Sequence, residues 1–409
     1  MSTAQRGTAQ RGTAQRVGRI KPSPSTAAAQ RVRELKAQGR NILDLTVGEP
    51  DFDTPGHVKD AAIEAIRQGA TKYTPVNGTP QLRAAIADRL RRRHGLDFPD
   101  GRIAVGGGGK QIIFLALMAT LDAGDEVVIP APYWVSYPDM VLANDGTPVV
   151  VPCPEADGFK LTPDRLASAL TDRTRWVVLN SPGNPTGAVY TADELRALAR
   201  VLLDHQHVHV LTDEIYDEIF FGTGQVHSLA AVEPRLADRV FSTNGVSKTY
   251  AMTGWRIGYG AGNAELIRAI NTLQSQISSC PSSISQAAAT AALSGDQGFV
   301  RDSVAVYRSR RDTVVKLIND IPGLSCTPPD GGFYAFVNCT GVLGTRTPSG
   351  QEVRTDEDVA AHLLESQSVA VIHGAAYGSP GYFRISFATS NDVLTAACEA
   401  IARARADLS

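Results

Sequence analysis

Between about residues 100 and 245, short apolar runs alternate with segments whose apolar residues recur every three or four positions. Residues 102–105, 126–129, 174–179 and 208–212 read as strands, with a further β-like run at 239–243; 111–121 and 192–203 read as helices. Apolar strands without polar alternation belong to a mostly parallel sheet covered by helices on both faces, so the expected fold class is α/β. Upstream, 25–39 predicts a helix capped by Ser25 or Thr26 and stopped by Gly39. Residues 42–47 alternate like a strand and run into the turn Gly48-Glu49-Pro50-Asp51. Thr79-Pro80 opens a helix with Leu82, Ile86 and Leu90 as its buried stripe. After a long helical stretch at 299–319 the pattern changes. A hairpin strand around Gly331-Gly332-Phe333-Tyr334-Ala335-Phe336, a helix at 355–365, strands at 369–372 and 382–387, and a last helix capped by Ser390 describe a smaller α+β domain that also recruits the N-terminal helix.

These patterns divide the 409 residues into a repeat tail (1–19), an N-terminal segment joining the small domain (20–50), a large domain (51–304) and a small C-terminal domain (305–409). The tail carries Thr-Ala-Gln-Arg three times and reads as disordered or as a start-site artefact; it lacks the apolar face of a transit peptide. A net charge of −2 gives no electrostatic case for nucleic acid or membrane as partner, and no apolar run approaches the roughly 20 residues that span a bilayer. Cys153, Cys280, Cys326, Cys339 and Cys398 are an odd, scattered set without a CxxC pair, which reads as reduced thiols in a cytoplasmic enzyme. His205, His207 and His209 alternate along a predicted strand. With no further ligand at metal spacing, a plain strand face is expected and no metal site.

In open α/β sheets ligands bind beyond the carboxyl ends of the strands, and the chemistry-bearing residues fall there. Val105-Gly106-Gly107-Gly108-Gly109-Lys110-Gln111 joins a strand to a helix, where bare amides can hold a phosphate or the glycines merely make a turn. It is not a Walker loop, since Ala104 and Gln111 stand where glycine and serine or threonine are required; Gly258-Tyr259-Gly260-Ala261-Gly262-Asn263 likewise fails as a dinucleotide fingerprint. Asn184 sits in a tight turn at a strand mouth. Asp213 ends an apolar strand, where an unpaired carboxylate is costly, so it needs a cation, a cap role or a salt bridge. Arg384 lies in the otherwise apolar Tyr382-Phe383-Arg384-Ile385-Ser386-Phe387 and must meet an anion, internal or a ligand's carboxylate. Lys248 follows a strand in a glycine-punctuated loop; alone it reads as a surface charge, with such partners as a Schiff-base lysine.

As an ordered set, Gly48-Glu49-Pro50-Asp51-Phe52-Asp53-Thr54-Pro55, Lys72-Tyr73-Thr74-Pro75, Gly108-Gly109-Lys110-Gln111, Pro130-Ala131-Pro132-Tyr133-Trp134-Val135-Ser136-Tyr137, Asn184-Pro185-Thr186-Gly187, Asp213-Glu214-Ile215-Tyr216, Ser247-Lys248 and Gly254-Trp255-Arg256 resemble the class I pyridoxal-phosphate aminotransferases of fold type I. Within them the chain is most similar to the bacterial aspartate and prephenate aminotransferases, from about Lys21 to Arg403. The resemblance implies a large domain with a mostly parallel sheet between helices, a smaller α+β domain, and pyridoxal 5'-phosphate as cofactor. It implies that Lys248 is the catalytic lysine joined to the cofactor, that Asp213 pairs with the ring nitrogen, that Tyr216 and Asn184 bond the ring hydroxyl oxygen, and that Trp134 stacks on the ring. Arg256 and the amides of Gly108, Gly109 and Lys110 would hold the phosphate, and Tyr73 would reach it from the other subunit of a homodimer. Arg384, with Asn184 and Gly48, would grip the substrate's α-carboxylate, while Lys110 would meet a distal carboxylate beside Trp134.

The resemblance implies ping-pong exchange of an amino group between aspartate or glutamate and a 2-oxo acid such as 2-oxoglutarate, with prephenate a further acceptor to be tested. Two alternatives stay open. One is an aromatic or specialised biosynthetic aminotransferase, or a lyase, of the same fold; the other is a cofactor-sensing regulatory module, which would attach this fold to a winged DNA-binding domain. Three positions depart from the family pattern: Gly245 where many relatives place a phosphate-binding serine, Ser25 where threonine helps read the distal carboxylate, and Ala375 where serine is frequent.

Overall fold

The computed structural model describes residues 12–22 and 24–409, and of Ser25 only the backbone. A short strand β1 (Leu43–Asp44) precedes seven strands of one central sheet: β2 (Ile103–Gly106), β3 (Glu126–Ala131), β4 (Thr147–Pro152), β5 (Thr174–Asn180), β6 (His209–Asp213), β7 (Val240–Gly245) and β8 (Gly258–Ala261). Their order across the sheet is β2-β8-β7-β6-β5-β3-β4. All neighbouring pairs are parallel except those of β8, which runs against both β2 and β7. The α/β fold expected from the sequence is therefore present, with one reversed strand inside it.

Helices cover both faces because successive strand residues point to opposite sides. Val127 and Ile129 of β3 pack with Ile112, Leu115, Ile267 and Ile270 on one face. Val128, between them, joins Leu195, Leu198 and Leu202 on the other. The helices begin where the sequence supplies caps. Thr79 accepts a hydrogen bond from the Leu82 amide ahead of helix Pro80–His94, which Gly95 closes in the left-handed conformation. Thr191 and Glu194 form a capping box on helix Ala192–Asp204.

Two strands escaped the periodicity. β4 is an edge strand that carries Pro148 and ends in Pro152, and only Val151 of its six residues is buried. β8 reads as a glycine loop, yet its glycines are forced by packing: a Cβ on Gly258 would lie 2.1 Å from the Gly109 amide nitrogen, and one on Gly260 2.2 Å from the Phe241 ring. The three histidines do not share a strand either. His205 ends helix Ala192–Asp204, His207 lies in the following turn, and only His209 is in β6. Among the described residues no cluster of His, Cys, Asp or Glu could hold a metal ion.

The 22-residue helix Gly298–Asn319, about 33 Å long, leads from the central sheet to the C-terminal strands β9 (Tyr334–Asn338), β10 (Val369–Ala370), β11 (Ile372–His373) and β12 (Tyr382–Ser386). β12 lies between β11 and β9 in an antiparallel sheet, and β10 pairs in parallel with β1, so residues 43–44 join the C-terminal part of the chain. Arg310 ties this helix to the turn after β1 through two 2.8 Å bonds to Asp51. Of the repeat tail, residues 1–11 lie outside the described residues; Gln15–Arg19 form one 3₁₀ turn, and Arg19 is ion-paired with Asp145. Among the described residues no helix is long and apolar enough to cross a membrane.

Candidate active site

A cavity of about 580 Å³ lies at the carboxyl ends of the parallel strands, walled on the other side by the N-terminal helix Pro24–Ala37 and by β12. β6 delivers Asp213 at its last residue, the connection after β5 delivers Asn184, and the connection after β7 delivers Ser247 and Lys248. The helix after β2 begins at Gly109 and brings Lys110. Arg256, in the left-handed conformation at φ 56°, precedes the reversed strand β8 and so reaches the same mouth. Trp134, Tyr216, Gly48 and Arg384 line it as well, while Gly108 and Tyr73 of the set expected from the sequence do not.

Two opposite charges in this cavity lack counter-ions among the described residues. Asp213 is 7% exposed and forms no ion pair among the described residues; it accepts hydrogen bonds from the Tyr137 hydroxyl at 2.7 Å and the Ile215 amide at 3.3 Å. Burial outweighs these bonds and pushes its carboxyl up to about 6. Arg384 is 2% exposed, and its hydrogen-bond partners among the described residues are neutral: Nη1 donates to Asn184 Oδ1 at 3.1 Å and Nη2 to the Thr46 carbonyl at 2.7 Å. Its Nε has no partner, and its guanidinium lies 4.2 Å from the centre of the Tyr334 ring. Among the described residues, Arg384 bonds no internal anion.

Lys248 shares this cavity and donates to the Gly48 carbonyl. Burial brings its amine down to about 8, with Glu49 opposing the fall and Arg384 and Arg256 adding to it. Lys110 is also lowered, by burial and then by Arg256; its Nζ lies 4.8 Å from the centre of the Trp134 ring.

The glycine run makes an anion cradle. Gly108 has φ 102°, and a Cβ there would lie 2.2 Å from Arg256 Nη2. The amides of Gly109 and Lys110 open the helix, outside its hydrogen-bond ladder. Arg256 is braced by the carbonyls of Thr253 at 2.8 Å and Gly107 at 3.2 Å. At Gly245 a Cβ would lie 2.9 Å from the Ile257 carbonyl oxygen, so a serine there would force β7 and β8 apart; the nearby hydroxyl on the cavity wall is that of Ser247. Ala375 is exposed and does not line the cavity, and the side chain of Ser25 lies outside the described residues.

Several participants were invisible in the sequence. Tyr137 holds Asp213. Asn180 ties Asp213 to the Asn184 loop, donating to the Asp213 carbonyl and accepting from the Asn184 amide, both at 2.8 Å. Tyr216 lines the cavity with Asn184, and its hydroxyl lies 3.1 Å from that of Tyr334. Tyr73 stands apart from the cavity and is 90% exposed.

Residues 40–401 match the family described as aminotransferase class I and II. The chain belongs to this family. This aminotransferase is 50% identical over 387 residues to a probable aspartate/prephenate aminotransferase of Rhizobium leguminosarum bv. phaseoli, covering 95% of this chain and 97% of that one. It is 49% identical over 385 residues to the aspartate/prephenate aminotransferase of Cereibacter sphaeroides, covering 94% and 96%. The aspartate aminotransferase structure from Rhizobium meliloti superposes with a TM-score of 0.95 at 49% identity, covering 97% of this chain and 99% of that one. That of the Thermus thermophilus enzyme with maleate gives 0.89 at 40% identity, covering 96% and 100%. The cofactor of this aminotransferase is pyridoxal 5'-phosphate. The residues present fit it: an anion cradle, an unpaired buried carboxylate for a ring cation, and a lysine whose amine burial has made less basic.

Proposed function

We propose that this aminotransferase moves an amino group between L-aspartate or glutamate and a 2-oxo acid such as 2-oxoglutarate, with prephenate as a further acceptor. One observation carries the reading: a buried carboxylate and a buried guanidinium, each without a counter-ion among the described residues, line the same cavity as a lysine. A ligand that brings a cationic ring and a carboxylate neutralises both. The names of the relatives support the choice of substrates.

When bound, the cofactor supplies the carbonyl that takes up the amino group and a protonated ring that draws electrons from the reacting carbon. Each residue then has a task. The amides of Gly109 and Lys110, with Arg256, would hold the phosphate, whereas the Gly108 amide, counted with them in the sequence, is donated to the Gly106 carbonyl at 2.8 Å; Trp134 would cover the ring, and Tyr216 and Asn184 would bond its hydroxyl. Asp213 keeps a proton on the ring nitrogen, which Tyr137 helps by anchoring the carboxylate. Arg384 grips the α-carboxylate, assisted by Asn184 and Gly48. Lys248 is the catalytic residue: its Nζ, made less basic by burial, takes and returns the proton of the substrate α-carbon.

Lys110 forms no ion pair among the described residues, so its ammonium is available to a distal carboxylate. Lys110→Ala is expected to raise KM for aspartate by roughly tenfold or more, since a charge-assisted bond is lost, and to leave KM for an aromatic donor nearly unchanged. Assaying amino donors against 2-oxoglutarate, oxaloacetate and prephenate checks this; equal changes for both donors, or no turnover of aspartate, would remove the substrate assignment. The site is completed in a homodimer, with Tyr73 reaching the partner's phosphate. Its 90% exposure supports this, as does the exposure of Ile63, Ile66 and Ile277. A sedimentation mass of a single chain would overturn the pairing.

A further inference from the structure

A second cavity, of about 220 Å³, shares no lining residue with the first. Its wall carries Arg89, Arg92, Arg93 and Arg301 against a single carboxylate, Glu218. Arg89 is nearly buried, with 4% of its side chain exposed. Its Nη2 bonds both oxygens of Asp217, at 2.8 and 2.7 Å, but its Nη1 is buried without a partner. Arg93 Nε is likewise buried without a hydrogen bond, 3.5 Å from Glu218 Oε1. Arg92 is held by Asp88 at 2.9 Å, and Arg301 forms no ion pair among the described residues.

Both orphaned atoms are donors on guanidinium groups, which can neither accept a hydrogen bond nor shed their charge at ordinary pH. Buried donors in folded proteins find an acceptor in protein, water or a bound ion. Asp217 and Asp88 pair with Arg89 and Arg92, and Glu218 lies 3.3 Å from Arg89 and 3.5 Å from Arg93, which still leaves Arg301 and both orphaned donors unmatched and favours an acceptor that is itself negative. The volume limits it to a few heavy atoms, and Leu293 and Val300 leave the remaining wall apolar.

We propose that this cavity binds a compact oxyanion of the size and charge of phosphate, either the free ion or the terminal group of a small phosphate ester. The test is a calorimetric titration of the cofactor-loaded protein at low ionic strength, so that the cradle at Gly108 and Gly109 is already filled. One arm uses inorganic phosphate and the other glycerol 3-phosphate; tighter binding of either supports the site and identifies its source. One saturable site per chain is expected, weakened by roughly tenfold or more in Arg301→Met or Arg92→Met. Both of these side chains reach solvent, so their loss leaves folding intact, whereas Arg89 also holds Asp217. Arg301→Lys should bind more tightly than Arg301→Met. No saturable binding to the unaltered protein, or unchanged affinity in both methionine variants, would overturn the proposal.

Discussion

Asp213 ends β6 and Asp217 follows four residues later; both are buried, and their surroundings treat them in opposite ways. Asp213 faces the large cavity, where burial lifts its carboxyl to about 6 and no cation among the described residues pairs with it. Asp217 faces the end of helix Pro80–His94. Burial opposes its ionisation too, but the Arg89 guanidinium, with help from His94 and Arg93, holds its carboxyl well below the usual carboxylate range. Glu214 points the same way, 3.7 Å from His94. Equal burial therefore says nothing about purpose. What separates a structural carboxylate from one kept for a ligand is whether the fold supplies its counter-ion.

That contrast can be broken from either side. Asp217→Asn leaves Arg89 short of a partner and is expected to cost roughly 3–5 kcal/mol of stability, read by chemical denaturation, while the turnover of the folded fraction changes little. Asp213→Asn should do the reverse, lowering kcat by roughly 10²–10³ with stability at neutral pH preserved or improved. The two carboxylates also give opposite pH slopes in cofactor-free protein. Between about pH 4 and 6 the unfolded chain has released the Asp213 proton and the folded chain holds it, so stability falls as pH rises. The gap from 3.8 to about 6 is worth about 3 kcal/mol, and Asp213→Asn should flatten that slope. The Asp217 contribution is instead present above the ordinary carboxylate range and lost as pH drops below about 4. The smallest effect is expected for Tyr137→Phe. Loss of one hydrogen bond to the carboxylate should lower kcat by roughly tenfold and move the falling slope to higher pH, because that bond holds the Asp213 value down.

Asp213 and Arg384 were legible in the sequence because each is a polar residue at the end of, or inside, an apolar run, whereas Lys248, in a polar loop, stood out only beside such partners. That mismatch is local and needs no fold to be seen. Their supports were not legible. Tyr137 reaches Asp213 across 76 residues and Arg89 reaches Asp217 across 128, with no periodicity linking either pair. The contribution of the N-terminal helix through Thr26 and Arg33 depends on β1 pairing with β10, a contact set by tertiary packing. β8 was hidden for a related reason: its glycines answer to the backbone of Gly109 and the ring of Phe241, so the side chains that usually announce a strand are missing.

The reversal of β8 has a consequence for how much chain the site consumes. Were all seven strands aligned, a residue just before a strand would emerge at the opposite edge of the sheet from one just after. With β8 turned around, the stretch leaving β7 and entering β8 never has to cross the sheet, and Lys248 and Arg256 arrive at one mouth from a single return loop. The two groups are therefore mechanically yoked. An insertion or deletion between them cannot retune one without displacing the other, and their mutual spacing is among the least adjustable dimensions of the molecule.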